Sequence, residues 1–227
     1  MESKVKISVV VIGSIVVDTD ALKKKDALKI FQVTDRKSCE EIVQKISSDD
    51  MVFIISDGRE VYYAEKFFSR LDALKIYLVT EAQAADNKNL SDAIIQLPAK
   101  NFSYAVYEVV CVFNDLFNVK GLVAVNFADV KSWLKNSGKA VSVIGEGANV
   151  EDAVADALNS HDVKSARAIL MNVKAATDSV SMPEVQSATE KVQAAANEDA
   201  KILWSVTIDD SAGDKVKAAI VAFKLGK

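Results

Sequence analysis

The first hundred residues are constrained most by five short apolar runs that alternate with polar or helical segments. The runs are rich in Val, Ile and Leu, which favour strands. Strands separated by helices predict a parallel, doubly wound sheet covered on both faces. The predicted strands are Lys6–Ile12, Leu28–Val33, Met51–Ile55, Leu74–Val79 and Ala93–Leu97, and the predicted helices are Ser38–Ile46 and Val61–Leu71.

A long apolar helix follows the last of these strands, which Pro98 ends. Tyr104–Phe117 is apolar on most sides, as expected of a helix buried between two domains. The second half of the chain then predicts an α+β domain, in which the last two strands require an antiparallel pair or a long loop. Its predicted strands are Lys139–Ile144, Ala166–Val173, Lys201–Ile208 and Val216–Phe223, and its helices are Val150–Leu158 and Met182–Ala196.

Composition excludes several classes of function. The net charge of -4 and the pI of about 5.2 offer no basic surface for nucleic acid or an anionic membrane. The basic run Lys23–Lys25 is interpreted as a solvated helix end rather than a binding patch. No apolar stretch reaches the roughly 18 residues that span a bilayer, and Ile7–Val17 is interpreted as a buried strand rather than a signal peptide.

The cysteine and histidine content argues against metal sites and hydrolytic triads. Cys39 and Cys111 follow no pattern, which favours reduced thiols in a cytoplasm over a disulfide framework. The single histidine, His161, follows a helical pattern, and a helix C-terminus explains it better than catalysis. No metal is expected, because a zinc site would have too few ligands.

The segment Gly121–Lys131, Gly-Leu-Val-Ala-Val-Asn-Phe-Ala-Asp-Val-Lys, is the most specific motif of the chain. It resembles the loop by which FtsZ, the tubulin-like cell-division GTPase, reaches the nucleotide of the next subunit in a filament. In that family the loop reads approximately G-L-I-N-x-D-F-A-D-V-[KR], and its polar residues polarise the attacking water. Ala124 and Asn126 replace two of the three polar groups, and Asp129 retains the third. No catalytic residue is therefore expected, and Asn126 and Asp129 are remnants.

The resemblance to the FtsZ family continues in order through the second half. Gly138–Ala153 is similar to the family's strand, Gly-x-Gly turn and acid-rich helix start, and Pro183–Ala200 to its long helix. The resemblance implies an FtsZ/tubulin-like α/β fold: a Rossmann-like parallel-sheet domain in residues 1–101, a central helix in 102–120 and a smaller α+β domain in 121–227. The first domain is shorter than is usual for the family.

The predicted nucleotide loops depart most from the family pattern. A phosphate cradle needs glycines, because backbone N–H groups must approach the anion closely. The family's G-G-G-T-G-T-G should follow Ile55, but the chain reads Ser-Asp-Gly-Arg-Glu over residues 56–60, where Asp57 and Glu60 add negative charge. Gly13, Ser14, Asp57 and Gly58 are thus the remnant nucleotide loops. Ala99 or Lys100 occupies the position of the family's base-contacting Asn.

These losses predict that no cofactor is bound, with GTP or GDP as the alternative. The site is expected to be empty or collapsed, with side chains such as Ile15, Val16 or Tyr62 filling part of it. Asp129 has two interpretations: it lies at a subunit junction, or it caps a helix beginning at Val130, which is the preferred one.

The sequence therefore predicts an FtsZ-like cytoskeletal or assembly protein without GTPase activity. We expect it to be cytoplasmic and to act through self-association or an FtsZ-type partner. A divergent GTP-binding filament protein with weak or no hydrolysis is the alternative. Because the chain stops at Lys227, soon after the last predicted strand, the family's membrane-recruiting tail is not expected, nor is direct membrane binding.

Overall fold

The computed structural model describes residues 4–25, 27–56, 62–80, 91–119, 125–135, 137–210 and 213–224. Within these ranges nine strands form one mixed sheet in the order β2-β1-β3-β4-β5-β6-β9-β7-β8. The strands are β1 (Ile7–Ile12), β2 (Leu28–Val33), β3 (Met51–Ser56), β4 (Leu74–Thr80), β5 (Ala93–Leu97), β6 (Gly138–Gly147), β7 (Ala168–Ala175), β8 (Lys201–Ile208) and β9 (Val216–Phe223).

Seven α-helices connect these strands in the described part of the chain. They are α1 (Asp20–Lys23), α2 (Arg36–Lys45), α3 (Tyr62–Phe68), α4 (Phe102–Asn118), α5 (Phe127–Leu134), α6 (Val150–Ser160) and α7 (Met182–Ala195). Asp35 and Ser181 begin α2 and α7 as capping boxes, in which the N-cap and N3 side chains bond each other's backbone N–H groups.

The parallel sheet predicted for the first half is confirmed, and both of its faces are covered. β1 pairs in parallel with β2 and β3, and the ladder continues through β4 and β5. Successive side chains of a strand point to opposite faces. Accordingly Val9 and Val11 join the core that contains α4, while Val10 and Ile12 join the core beneath α2 and α3.

The sheet does not stop at the boundary between the two halves. β5 pairs in parallel with β6, from Ala93 opposite Gly138 to Gln96 opposite Val141. β6 then pairs antiparallel with β9. The division into domains at residues 101 and 120 stays a prediction.

Of the two arrangements predicted for the last two strands, an antiparallel pair or a long loop, the antiparallel pair is not formed. β7 lies between them, parallel to β8 and antiparallel to β9. A crossover through α7 joins the parallel strands β7 and β8 and places β8 on the outer side of β7. β9 then returns to the gap between β6 and β7. Strand β8 is left at the edge of the sheet.

The central helix is confirmed, although it is less apolar than predicted. α4 buries Val106, Val109 and Phe113 completely, but it also buries Glu108 and Asp115. Across the described residues, no helix is long and apolar enough to cross a membrane.

Candidate functional site

The candidate ligand-binding site of this fold lies at the carboxyl ends of the parallel strands. β1 connects outward to β2, and the chain then returns to the other side of β1 to form β3. In open α/β sheets, ligands bind in the crevice at this reversal, between the loops that follow the two strands. The predicted residues Gly13 and Ser14 follow β1 at this position. Asp57 and Gly58 follow β3 in sequence and lie outside the described residues.

The turn after β1 is fixed by bonds to the neighbouring strand. Gly13 has a φ of 81°, in the left-handed region that glycine adopts at no steric cost. Its N–H donates to the carbonyl of Val33 at 2.9 Å, and its carbonyl accepts from the side chain of Gln32 at 2.7 Å. Both backbone polar groups of Gly13 are therefore engaged by β2 instead of facing a ligand.

The residues after Gly13 divide between the core and the solvent. Ile15 and Val17 are partly buried against the core, whereas Val16 is 88% exposed. The prediction that Val16 fills the former pocket is therefore wrong, because the strand-like alternation of this segment turns it outward. Ile15 packs inward, and the side chain of Tyr62 lies outside the described part of the chain.

The start of α4 holds the far end of this segment. The N–H of Asp18 donates to the hydroxyl of Ser103 at 2.7 Å. Ala99 and Lys100 are exposed in the connection between β5 and α4. The helix begins after Asn101, which adopts a left-handed φ of 63° without a side-chain cap.

The other end of α4 lies at the amino ends of the parallel strands. Asn118 accepts from the N–H of Val5 at 2.8 Å and donates to its carbonyl at 3.0 Å, just before β1 begins. α4 contains 17 residues, so at 1.5 Å per residue it is about 26 Å long. The helix therefore separates the turn at Gly13 from the segment that follows Asn118.

The remnant residues of the predicted catalytic loop, Asn126 and Asp129, also lie at the amino ends of the strands, at the start of α5. The side-chain oxygen of Asn126 accepts from the N–H of Ala128 at 2.8 Å and caps the helix. The prediction that Asp129 caps a helix starting at Val130 is therefore wrong, because α5 begins at Phe127. Asp129 is exposed in the first turn, where a carboxylate complements the helix dipole. Ala124 lies outside the described residues.

α5 is anchored to the first half of the chain near the start of β4. The ammonium of Lys131 donates to the carbonyl of Asp72 at 2.6 Å and lies 3.3 Å from its carboxylate. Phe127 packs edge-on against Phe117, with ring centroids 5.2 Å apart. These contacts therefore fix Asn126 and Asp129 near the amino ends of the parallel strands.

A polar stripe on α4, buried except at Tyr104, was missed by the sequence analysis and faces the second half of the chain. Tyr104, Glu108, Cys111 and Asp115 recur at spacings of four, three and four residues, which places them on one helix face. That periodicity was the available signal.

Lys217 on β9 satisfies the upper part of the stripe. It donates to the carboxylate of Glu108 at 2.9 Å and to the hydroxyl of Tyr104 at 2.8 Å. Burial disfavours its charge, but these two hydrogen bonds outweigh that effect, and the pKa of Lys217 is raised.

The lower part of the stripe is less well compensated. Burial raises the pKa of Asp115, although Lys25, at 3.8 Å, and the Asn114 amide favour its charged form. Burial also raises the pKa of the Cys111 thiol to about 11. A thiol with such a pKa is protonated at neutral pH and is a poor nucleophile. These groups hold α4 against the sheet, and no reaction chemistry follows from them.

Within the described ranges, no group of three or more His, Cys, Asp or Glu side chains could hold a metal ion. His161 ends α6 with an extended backbone and is exposed. The prediction that it lies at a helix C-terminus is confirmed.

Comparison with known proteins identifies relatives of both the sequence and the fold. Residues 137–226 match the model of the FtsZ family, C-terminal domain. The cell division protein FtsZ of Methanothermobacter thermautotrophicus is 33% identical over 114 residues, which are 47% of this chain and 30% of that protein. The matched region therefore spans less than a third of that relative.

Two solved FtsZ structures from M. jannaschii share the fold, each at 21% identity. A mutant has a TM-score of 0.81 and covers 98% of this chain and 92% of its own. An empty FtsZ dimer has a TM-score of 0.78, and the match covers 97% of this chain and 88% of the FtsZ chain. The family model, the sequence relative and the fold agree with one another: this chain has an FtsZ-like fold, and its residues 137–226 match the C-terminal domain of the FtsZ family.

Proposed function

We propose that this protein is an FtsZ-like assembly subunit that associates head to tail, with copies of itself or with an FtsZ-type partner, and does not hydrolyse GTP. The observation that carries the proposal is the position of the two remnant loops. Gly13 lies at the carboxyl ends of the parallel strands and Asn126 at their amino ends, and the length of α4 separates them. Gly13 and Asn126 of one chain are too far apart to form a single site, and a head-to-tail contact would bring Gly13 of one subunit close to Asn126 of the next.

A contact between two different ends of a subunit is heterologous. Such contacts produce filaments unless a rotation closes them into a ring. The M. jannaschii structure that is an FtsZ dimer supports self-association as a property of this fold. Self-association of the present chain is accordingly part of the proposal.

The absence of hydrolysis is proposed from the residues that replace the catalytic and phosphate-binding groups. Ala124 has no polar side chain, and the amide oxygen of Asn126 is occupied by the cap of α5. Gly13 uses its backbone N–H and carbonyl within the sheet. The sequence at 56–60 supplies one glycine and two acids where the family has a run of glycines, so it favours neither phosphate binding nor turnover.

Phosphate release from GTP by the purified chain, measured beside an authentic FtsZ, tests the enzymatic part of the proposal. We expect no release above the buffer blank. The double reversion Ala124→Asn and Asn126→Asp should not restore it, because the phosphate loop is altered independently. Release at a rate comparable with FtsZ would refute the proposal. Titration calorimetry with GTP and GDP distinguishes the alternative, in which nucleotide is bound and not hydrolysed.

Sedimentation of the bare protein tests the assembly part. We expect concentration-dependent assembly without nucleotide, and the substitution Asp129→Arg at the exposed start of α5 should weaken it. Glu40→Arg is the control. It makes the same charge change on the exposed side of α2, away from both ends of the strands, and should have no effect on sedimentation. Equal sedimentation of both variants and the native chain would contradict a head-to-tail contact through α5.

A further inference from the structure

The outermost strand of the sheet, β8, has no strand on its outer side among the described residues. In the described part of the chain its only paired neighbour is β7. The strand reads Lys-Ile-Leu-Trp-Ser-Val-Thr-Ile, with one charge, no proline and no glycine. Natural proteins normally blunt such edges with charges, prolines or bulges, because an open apolar edge is a template for strand addition.

The hydrogen-bond pattern shows which residues face the open edge. Lys201 donates its N–H to the carbonyl of Arg167, and Asp209 donates to that of Ala175, so the odd-numbered residues bond to β7. Along a strand, successive residues direct their N–H and carbonyl groups to opposite sides. The N–H and carbonyl groups of the even-numbered residues therefore point away from β7. These residues are Ile202, Trp204, Val206 and Ile208.

A groove lies beside this edge, between α7 and β8. It has a volume of about 520 Å³ and is lined by Met182, Pro183 and Trp204 together with four polar residues of α7, which are Gln186, Thr189, Glu190 and Gln193. Met182 is 46% exposed and Ile208 is 41% exposed. The edge therefore combines unpaired backbone groups with apolar side chains that have not been removed from water.

We infer that β8 pairs with β8 of a second copy of this chain, antiparallel, about a two-fold axis at Ser205. In that register Ile202 lies opposite Ile208 and Trp204 opposite Val206, so outward-facing groups meet outward-facing groups throughout. The two-fold makes the interface isologous, since the same surface is used by both copies.

Charge complementarity selects the second copy as the occupant. The same register places Lys201 of one copy directly opposite Asp209 of the other, at both ends of the contact. Both are odd-numbered and lie on the α4 face of the sheet: Lys201 lies over the ring of Trp133 at 4.9 Å, and Asp209 pairs with Lys174 at 3.2 Å. Opposite charges facing each other across strands stabilise the pair, and like charges destabilise it.

This contact differs from the proposed head-to-tail contact and does not rest on it. It uses the side of the sheet, whereas Gly13 and Asn126 lie at the strand ends. Because its axis is two-fold, it closes at two copies and would join two filaments running in opposite directions.

A charge-exchange experiment tests the pairing by sedimentation equilibrium of the full chain. Lys201→Glu places like charges opposite each other at both ends, as does Asp209→Lys, and each variant should dimerise about tenfold more weakly than the native chain. Mixing the two variants restores opposite charges at both ends, so the mixture should regain native affinity. Lys139→Glu on β6 is the control and should have no effect. A native chain without dimers, or a mixture without recovery, overturns the inference.

Disulfide trapping tests the register independently of charge. Ser205 is buried, and its hydroxyl accepts from the amide of Asn172 at 2.8 Å. In the proposed pair it faces itself across the two-fold without mutual backbone hydrogen bonds, where Cα atoms are about 4.5 Å apart, within the range of a disulfide. Ser205→Cys should therefore yield a covalent dimer under mild oxidation, while Ser132→Cys on the exposed face of α5 should yield far less. Equal yields from the two variants, or no covalent dimer from Ser205→Cys, would refute this register.

Discussion

The ammonium group of Lys217 lies 2.9 Å from the carboxylate of Glu108, joining β9 to the middle of α4 across 109 residues of sequence. The pair is largely removed from water, with 25% of the lysine side chain and 11% of the glutamate side chain exposed. A buried charge without its partner is strongly unfavourable. Each residue therefore depends on the other for its stability in this position.

Removing one member of this pair should destabilise the fold by about 3 kcal/mol, because it leaves the other charge buried and unpaired. We expect this of both Glu108→Gln and Lys217→Met in urea unfolding. The double variant should cost clearly less than the sum of the two, since neither charge remains. Additive effects would show that the two groups are not coupled.

The same pair predicts a loss of stability in strongly alkaline solution. The folded-state pKa of Lys217 is raised by its bonds to Glu108 and Tyr104 despite burial. Its contribution is therefore complete below the ordinary lysine pKa of about 10.4 and declines as the pH rises through the folded-state value. The alkaline fall in melting temperature should be smaller in Lys217→Met than in the native chain.

Asp115 should show the opposite behaviour, because burial raises the pKa of its carboxyl group. The folded state holds this proton more tightly than the unfolded state. Stability therefore falls as the pH rises from the ordinary Asp pKa, and the loss is complete once the pH exceeds the folded-state pKa. We expect Asp115→Asn to raise the urea midpoint at neutral pH and to have less effect near pH 4, about the ordinary Asp value. Asp129→Asn, at an exposed position, serves as the control. A lower midpoint for Asp115→Asn at neutral pH would mean that the Lys25 pair outweighs burial.

Asn126 should behave as a helix cap when it is replaced. Asn126→Ala removes the acceptor for the Ala128 N–H and should cost about 1 kcal/mol of stability, whereas Asn126→Asp should be nearly neutral. Thermal unfolding of the two variants measures the difference. Equal stability of the Ala and Asp variants would remove the structural explanation for this residue.

Gly145 is required because α6 passes directly over β6. A Cβ at this position would clash with the carbonyl oxygen of Ala153 and with the backbone N of Ala157. Both are backbone atoms of α6, so the helix would have to move. Gly145→Ala should destabilise the protein by roughly 1–3 kcal/mol, while Ser142→Ala on the same strand should change it by less than about 0.5 kcal/mol. A Gly145→Ala variant as stable as native would disprove this close approach.

The strands were predictable because their apolar runs carry the signal locally. Ala93–Leu97 and Val216–Phe223 begin and end where the pattern places them. Strand neighbours were not predictable in the same way: nothing within Lys201–Ile208 indicates that β7 separates it from β9. That order depends on the crossover through α7.

The candidate site was less predictable, because polar side chains do not announce their partners. Glu108 is a typical solvated residue by type, and it is buried only because Lys217 reaches it from β9. The cap of α5 was assigned to Asp129 although Asn126 is an equally good capping residue. The choice depends on where the helix begins, and helix boundaries are poorly determined by sequence.

The ladder between β5 and β6 makes the two halves of this chain inseparable. A fragment ending at residue 135 would leave Ala93–Leu97 as a bare margin, and that strand is buried at every position except Gln96. The complementary fragment from residue 137 would expose β6 in the same way. Each fragment would expose an apolar strand edge that the other normally covers, and we therefore expect both fragments to aggregate.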